Sequence, residues 1–162
     1  MEQIARQCRY LTTLAEPVVA SLDDTHRSLE PHPGTKTAGW LVGHLAVTGD
    51  FGRRLCGSPT LCPKDWRALF NPGTRPSPNA ADYPPMRELA GAMIAVYSGL
   101  CEDLPRAEPR LLSADNPFVP ARHALPTSGD FVAYLMTGHL GHHLGQLMVW
   151  RAAAGLARGA NP

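Results

Sequence analysis

Four stretches of this 162-residue chain carry apolar residues at three- and four-residue steps, and proline-rich segments separate them. In the first stretch the periodic residues are Ile4, Cys8, Leu11, Leu14, Ala15, Val18 and Leu22. We expect helices over about residues 2–29, 37–55, 85–104 and 128–154. Because an apolar stripe on a helix has to be buried against other helices, the pattern predicts an all-α fold, a four-helix bundle that forms a single domain over residues 1–162.

Residues at the starts of these stretches support the predicted boundaries. Thr35 or Thr37 can cap the second helix, because a threonine hydroxyl accepts a backbone N–H of the first turn. Pro85 suits the first turn of the third helix, where a missing N–H costs little. Thr127 and Asp130 have the spacing of a capping box at the start of the fourth helix.

Proline and glycine indicate where the helices end. Pro17 should kink or divide the first helix, Pro105 should end the third, and Gly155 lies where a glycine would follow the fourth. Long irregular connections over residues 56–83 and 105–126 join helices two and three, and helices three and four. Neither shows the alternation of a strand. Connections of this length are uncommon in compact domains unless they are functional.

Charge and cysteine content narrow the class of protein. The formal net charge is +1 at pH 7, which gives no reason to expect nucleic acid or an anionic membrane as a partner. The four cysteines form no C-x-x-C pair, which fits reduced thiols better than a disulfide framework. The first residues, MEQIARQCRY, lack the apolar core of a signal peptide, and no apolar run is long enough to cross a membrane. We therefore expect a soluble cytoplasmic protein.

Three of the seven histidines fall on the apolar faces of two predicted helices. On a helical wheel, His44 lies centrally on the apolar face of the second helix, with Asp50 on the far side. His139 and His143 lie one turn apart in the middle of the apolar face of the fourth helix, and His142 lies at the edge of that face. Three imidazoles from two helices should therefore meet in one core.

A metal ion accounts for this group of histidines better than hydrogen bonding alone. For one buried histidine, a polar network in which the ring finds partners is the simpler explanation. Three neutral imidazoles cannot all satisfy one another, and protonating them in an apolar core is costly. A divalent metal accepts all three lone pairs, and zinc-binding helices use the i, i+4 spacing of His139 and His143. The predicted metal ligands are therefore His44, His139 and His143.

Three segments of the chain resemble known motifs. They are GWLVGHLAVTGDF at 39–51, KDWRALFNPGTRPSP at 64–78 and GHLGHHLGQLMVWRAAAG at 138–155. Together they resemble the DinB/YfiT-like metalloenzyme family, and the last is similar to its fairly specific H-x-x-x-H-x-G-Q signature. The resemblance spans nearly the whole chain. It implies a four-helix bundle whose metal ligands are His44, His139 and His143.

The resemblance also implies a type of chemistry. It implies a divalent metal, zinc or nickel above others, with open positions for water or substrate. Characterised relatives use the metal to activate low-molecular-weight thiols in S-transfer or thiol-dependent isomerisation. We therefore favour a metal-dependent transferase or isomerase that acts on a small-molecule thiol and an electrophilic co-substrate. The sequence does not indicate a catalytic residue.

Two other functional classes are open alternatives. One is a non-catalytic metal or small-ligand binding module, which would share the histidines but would need no open channel with polar walls. The other is a metal-dependent hydrolase, which would need a carboxylate base near the metal. The wheel disfavours the hydrolase because it directs Asp50, the one carboxylate of the second helix, away from the histidines.

Polar residues near the predicted site have two interpretations each. Gln146 lies one turn beyond His143 and could hold a ligand histidine or a metal-bound water, or it could serve helix packing. Arg53 and Arg54 could bind a carboxylate, or they could be two surface charges. A strip of small residues could pack within the chain or against a second subunit of a homodimer, and it consists of Gly138, Gly141 and Gly145.

Overall fold

A computed structural model describes residues 1–156, and helices account for nearly all of its regular structure. In chain order these are α1 (Glu2–Ala20), α2 (Ala38–Leu55), α3 (Trp66–Phe70), α4 (Met86–Arg106), α5 (Pro109–Leu112), α6 (Ser128–Tyr134), a π-helical turn (Leu135–His139) and α7 (Leu140–Ala153). The last three form one continuous helical segment. No strand occurs within residues 1–156, and no helix there is long and apolar enough to cross a membrane.

Four long helical segments pack around one core. α1 contacts α4 and the α6–α7 segment, and α2 contacts the same two neighbours. The apolar stripe of α4 is buried along its whole length, at Leu89, Met93, Val96, Leu100 and Leu104. Burying each such side chain contributes about 1.5–3 kcal/mol, so the stripe that the sequence predicted is a main source of stability. The predicted all-α four-helix bundle is confirmed.

The predicted helix caps are present. The Thr37 hydroxyl accepts the backbone N–H of Trp40 at 3.2 Å. The Thr127 hydroxyl accepts the N–H of Asp130 at 3.1 Å, and the Asp130 carboxylate accepts the N–H of Thr127 at 3.0 Å. Gly155 follows the last helix with a φ of +74°, a conformation that glycine adopts without strain. These capping contacts and the glycine thus fix the helix ends where the sequence predicts them.

The predicted ends of the first and third helices are wrong, and Pro17 does not divide the first helix. α1 ends at Ala20, not near residue 29, and Pro17 lies within it without dividing it. Pro105 lies in the last turn of α4 and does not end it. Near a helix end a proline removes only one backbone bond, which packing can offset. The chain leaves α1 because Asp23 begins a separate turn, in which its N–H donates to Nδ1 of His26 at 3.0 Å.

α2 is buried on nearly all sides, which the wheel did not predict. Asp50, placed on the far side of the helix, is only 3% exposed, and its carboxylate accepts the backbone N–H groups of Leu61 at 2.7 Å and Cys62 at 3.4 Å. Arg53 forms a 2.7 Å ion pair with Asp103 of α4. The connection after α2 therefore folds back over the helix and shields the side that a four-helix bundle alone would leave in solvent.

The predicted strip of small residues lies on the outside of the bundle. A Cβ atom added to Gly141 or Gly145 would meet no atom of the described chain within 4 Å. One added to Gly138 would meet only the Tyr134 side chain of its own helix. Packing within residues 1–156 therefore does not explain this strip.

Candidate metal centre

The three predicted histidines meet where α2 faces the π-helical turn. His44 extends from α2 and is only 3% exposed, whereas His139 ends the turn and His143 follows in α7, both half-buried. The Nε2 atoms of His44 and His139 are 3.2 Å apart. One ring nitrogen from each of the three residues can be chosen so that all lie within 4.8 Å of one another. A group this compact could hold one metal ion after small movements of the rings.

The backbone of α3 fixes the His44 ring. Nδ1 of His44 donates a 2.6 Å hydrogen bond to the carbonyl oxygen of Phe70, because a carbonyl can only accept. The proton is therefore on Nδ1, and the Nε2 lone pair faces the other two histidines. Gly43 allows this contact, since a Cβ atom there would lie 2.5 Å from the Phe70 ring. The Trp40 ring stacks on His44 at 4.5 Å and restrains it from the side.

The other two rings differ in how they are held. Nδ1 of His143 lies 2.7 Å from Oε1 of Gln146, so the amide oxygen accepts the Nδ1 proton and leaves Nε2 free to bind a metal. Nδ1 of His139 is buried and has no hydrogen-bond partner among residues 1–156. A buried polar atom without a partner is costly, so the His139 ring is held through its other nitrogen, Nε2, which lies beside His44.

The π-helical turn alters the placement that the wheel predicted. The wheel assumed a regular α-helix and put His139 and His143 in the centre of the apolar face. After the turn, the fully buried positions are instead Leu140, Leu144 and Leu147, and the two histidines lie half-buried at the border of that face. The π turn inserts an extra residue and so rotates the helix beyond it. His142 is exposed and is not part of the group of converging nitrogens.

Burial keeps the three imidazoles neutral. It lowers the pKa of His44, and it lowers the pKa of His139 to about 3 and that of His143 to about 4, with mutual repulsion among the rings as a further cause. At pH 7 all three rings are unprotonated, as metal binding requires. Three neutral imidazoles, two of them with Nδ1 already paired, suit a divalent transition-metal ion. The donor set therefore fits a divalent metal.

A cavity of about 550 Å³ adjoins the cluster, and His44 and His139 form part of its wall. Both long connections contribute to it, the first through Arg67 and Asn71 and the second through Phe118. Connections of this length are uncommon unless they are functional, and each of these two supplies residues to the cavity wall. The sequence analysis did not single out Phe70 or Arg67, although both lie in the 64–78 segment of the family resemblance.

The histidine cluster and its helices agree with a comparison to known families. The chain matches the DinB superfamily over residues 7–147, a range that contains all three histidines. It belongs to the DinB superfamily. DinB superfamily members bind metal, which agrees with the donor set described above. Searches of curated proteins and of solved structures give no match to the chain.

The Gln146 contact leads to a prediction for this DinB superfamily member. Gln146→Ala removes the acceptor for the Nδ1 proton of His143, and we expect Zn²⁺ affinity to fall about tenfold. Gln146→Glu keeps an acceptor and should retain native affinity. Gln7→Ala, at an exposed glutamine of α1, is the matched control. Competition with a fluorescent chelator measures all three, and equal affinity in Gln146→Ala and Gln7→Ala would show that the amide has no role in positioning the ring.

Proposed function

We propose that this chain binds zinc or nickel through His44, His139 and His143 and acts as a transferase or isomerase that uses a low-molecular-weight thiol. The observation that supports the proposal is the convergence of three neutral ring nitrogens beside a cavity whose wall includes His44 and His139. A structural metal site is usually enclosed by four protein ligands, whereas a catalytic site keeps a position for substrate. Three histidines beside a cavity match the second type.

The residues have separate tasks in this proposal. A divalent metal, when bound, supplies Lewis acidity and lowers the pKa of a thiol, and three neutral ligands leave its charge undiminished. The Phe70 carbonyl and Gln146 hold two of the rings in their binding orientation. Apolar side chains of the cavity wall, among them Phe51 and Phe131, exclude water and provide a surface for the electrophilic co-substrate.

The geometry of the cavity also bears on the two alternative functions, a metal-dependent hydrolase and a non-catalytic binding module. A metal-dependent hydrolase needs a free carboxylate base, and Asp50 is the one carboxylate among the residues that line the cavity. Its oxygens already accept two backbone N–H groups, which disfavours that role. A non-catalytic module that binds only a metal shares the histidines but gives no reason for a cavity of about 550 Å³ beside them, whereas a module that binds a small ligand would use the same cavity. The thiol-dependent enzyme accounts for both features.

The cellular context is also part of the proposal. We propose a cytoplasmic protein, because the cytoplasm supplies reduced thiols and all four cysteines of the chain are free. We further propose a homodimer that forms through the exposed strip of Gly138, Gly141 and Gly145, since a smooth helix face allows a second helix to approach closely.

A cobalt-substituted protein tests thiol binding. Co²⁺ in place of the native metal should give an intense sulfur-to-metal charge-transfer band in the near ultraviolet when glutathione, cysteine or another common cellular thiol is added. The band should be absent in His139→Ala, which loses a ligand, and present in His142→Ala, which alters an exposed ring. If none of the thiols changes the cobalt spectrum of the native protein, thiol chemistry is wrong and the binding module becomes the better account.

A further inference from the structure

The cavity beside the histidines carries an excess of positive charge that the metal site does not require. Its lining includes two guanidinium groups, Arg54 of α2 and Arg67 of α3, and one carboxylate, Asp50. Arg54 is ten residues beyond His44 in the same helix, about 15 Å along its axis at 1.5 Å per residue. The cavity wall therefore combines the two histidines with Arg54, which lies further along α2, and with Arg67, which comes from α3.

Neither cavity arginine is neutralised by the protein. Arg54 lies over the Phe51 ring at 4.7 Å, which orients the guanidinium without cancelling its charge. Within residues 1–156, no carboxylate lies within 4 Å of Arg54 or Arg67. The neighbouring Arg53 differs, because its Nε is 2.7 Å from the Asp103 carboxylate. Of the two adjacent arginines, only Arg54 is therefore available to a ligand.

Asp50, the one carboxylate in the cavity wall, does not pair with the two arginines. Both oxygens of Asp50 accept backbone N–H groups of the connection after α2, at 2.7 and 3.4 Å. The Asp50 carboxylate therefore stabilises the loop and forms no ion pair with Arg54 or Arg67. Two exposed arginines, Arg54 and Arg67, thus line the cavity with no carboxylate partner among residues 1–156, in a wall that also contains the aromatic rings of Phe51 and Phe118.

We propose that Arg54 and Arg67 bind the carboxylate of a small organic acid whose apolar or flexible body extends along the cavity toward the histidines. Guanidinium donors match a carboxylate in geometry and charge, and the aromatic wall accommodates the rest of such a molecule. That the acid is the thiol or its co-substrate rests on the proposed function. The distance along α2 favours an acid in which several bonds separate the carboxylate from the reacting atom, as in a peptide thiol.

Binding to metal-free protein tests the carboxylate site without involving the metal. The probes are 4-phenylbutyrate and its neutral amide, which share one shape, and ligand-observed NMR measures their dissociation constants. We expect the acid to bind about tenfold more tightly than the amide, the difference that one charge-assisted hydrogen bond provides. In Arg54→Gln and in Arg67→Gln this preference should shrink, and in the double variant it should disappear. Arg106→Gln, at an exposed arginine outside the cavity, should keep the full preference.

A second measurement separates this proposal from the thiol chemistry. Glutathione and its diethyl ester carry the same thiol, and only the first carries carboxylates. Cobalt-substituted protein should bind glutathione about tenfold more tightly, and Arg54→Gln combined with Arg67→Gln should bind both alike. Equal binding of acid and amide, and of glutathione and ester, would overturn the carboxylate site and leave the thiol proposal intact. A preference for the acid probe without any cobalt response to thiols would support the carboxylate site and overturn the thiol proposal.

Discussion

Replacing His44, His139 or His143 by alanine lowers the affinity for Zn²⁺ on the order of 100-fold or more. Structural zinc sites bind with about 10–16 kcal/mol from four ligands, so each ligand accounts for about 3 kcal/mol, or two powers of ten. Each of these rings offers a nitrogen within 4.8 Å of the others, and no other histidine, cysteine or carboxylate among residues 1–156 joins the group. A lost ligand therefore has no substitute.

The matched control for these variants is His142→Ala. This imidazole is adjacent to His143 in the chain, and the centroids of the two rings are 5.0 Å apart, yet His142 faces solvent. We expect unchanged metal affinity, measured by competition with a chelator, and helical content checked by circular dichroism for all four variants. Loss of metal in His142→Ala with retention in His143→Ala would mean that the helix after the π turn has a different register.

Metal binding raises the stability of the folded protein. The ligands come from helices far apart in sequence, so the unfolded chain cannot present them together. Metal at 100 times its dissociation constant should then add about 2.7 kcal/mol, which raises the melting temperature by about 5–10 °C for a chain of this size. Differential scanning calorimetry with and without chelator measures the change. The same transition temperature in both states would contradict metal binding to the folded protein, and His139→Ala should show no response to chelator.

The pH dependence of stability follows from the lowered pKa values. In the folded protein, the pKa of His139 is about 3 and that of His143 is about 4, whereas the pKa of a histidine in the unfolded chain is about 6.5. Below about pH 6.5 the unfolded chain therefore binds protons that the folded chain does not bind. As a result, the free energy of unfolding of the metal-free protein falls as the pH falls toward 4. Above pH 6.5 this loss is absent. In the folded protein, His139 and His143 take up protons only near pH 4 and below, so these two ligands should keep their bond to the metal at pH 5.

Features set by local chemistry could be predicted from the sequence. The apolar stripe of α4 is a period within one helix, and the Thr127 and Asp130 capping box is a contact over three residues. The meeting of His44 with His139 and His143 also followed from periodicity, because helices of a bundle turn their apolar faces to the same core. Each of these predictions needs only the helical repeat and the requirement that apolar surface be buried.

Features set by tertiary contacts could not be predicted in this way. The π turn at Leu135–His139 has no sequence signal that we recognised, and a wheel drawn through it places His139 and His143 at the centre of the apolar face instead of at its border. The Phe70 carbonyl that orients His44 belongs to the backbone of a short helix in a long connection, where side-chain patterns give no information. Asp50 was assigned to the far side of α2 because the wheel does not include the loop that covers it.

X-ray absorption at the zinc edge tests the three-histidine site most directly. Zinc-loaded native protein should show three imidazole ligands at about 2.0–2.1 Å, with the remaining scatterers oxygen, and glutathione should add one sulfur at about 2.3 Å. His142→Ala should give the same spectrum, and His139→Ala should lose one imidazole. A native spectrum with fewer than three imidazoles, or with sulfur before any thiol is added, would contradict a site built from His44, His139 and His143.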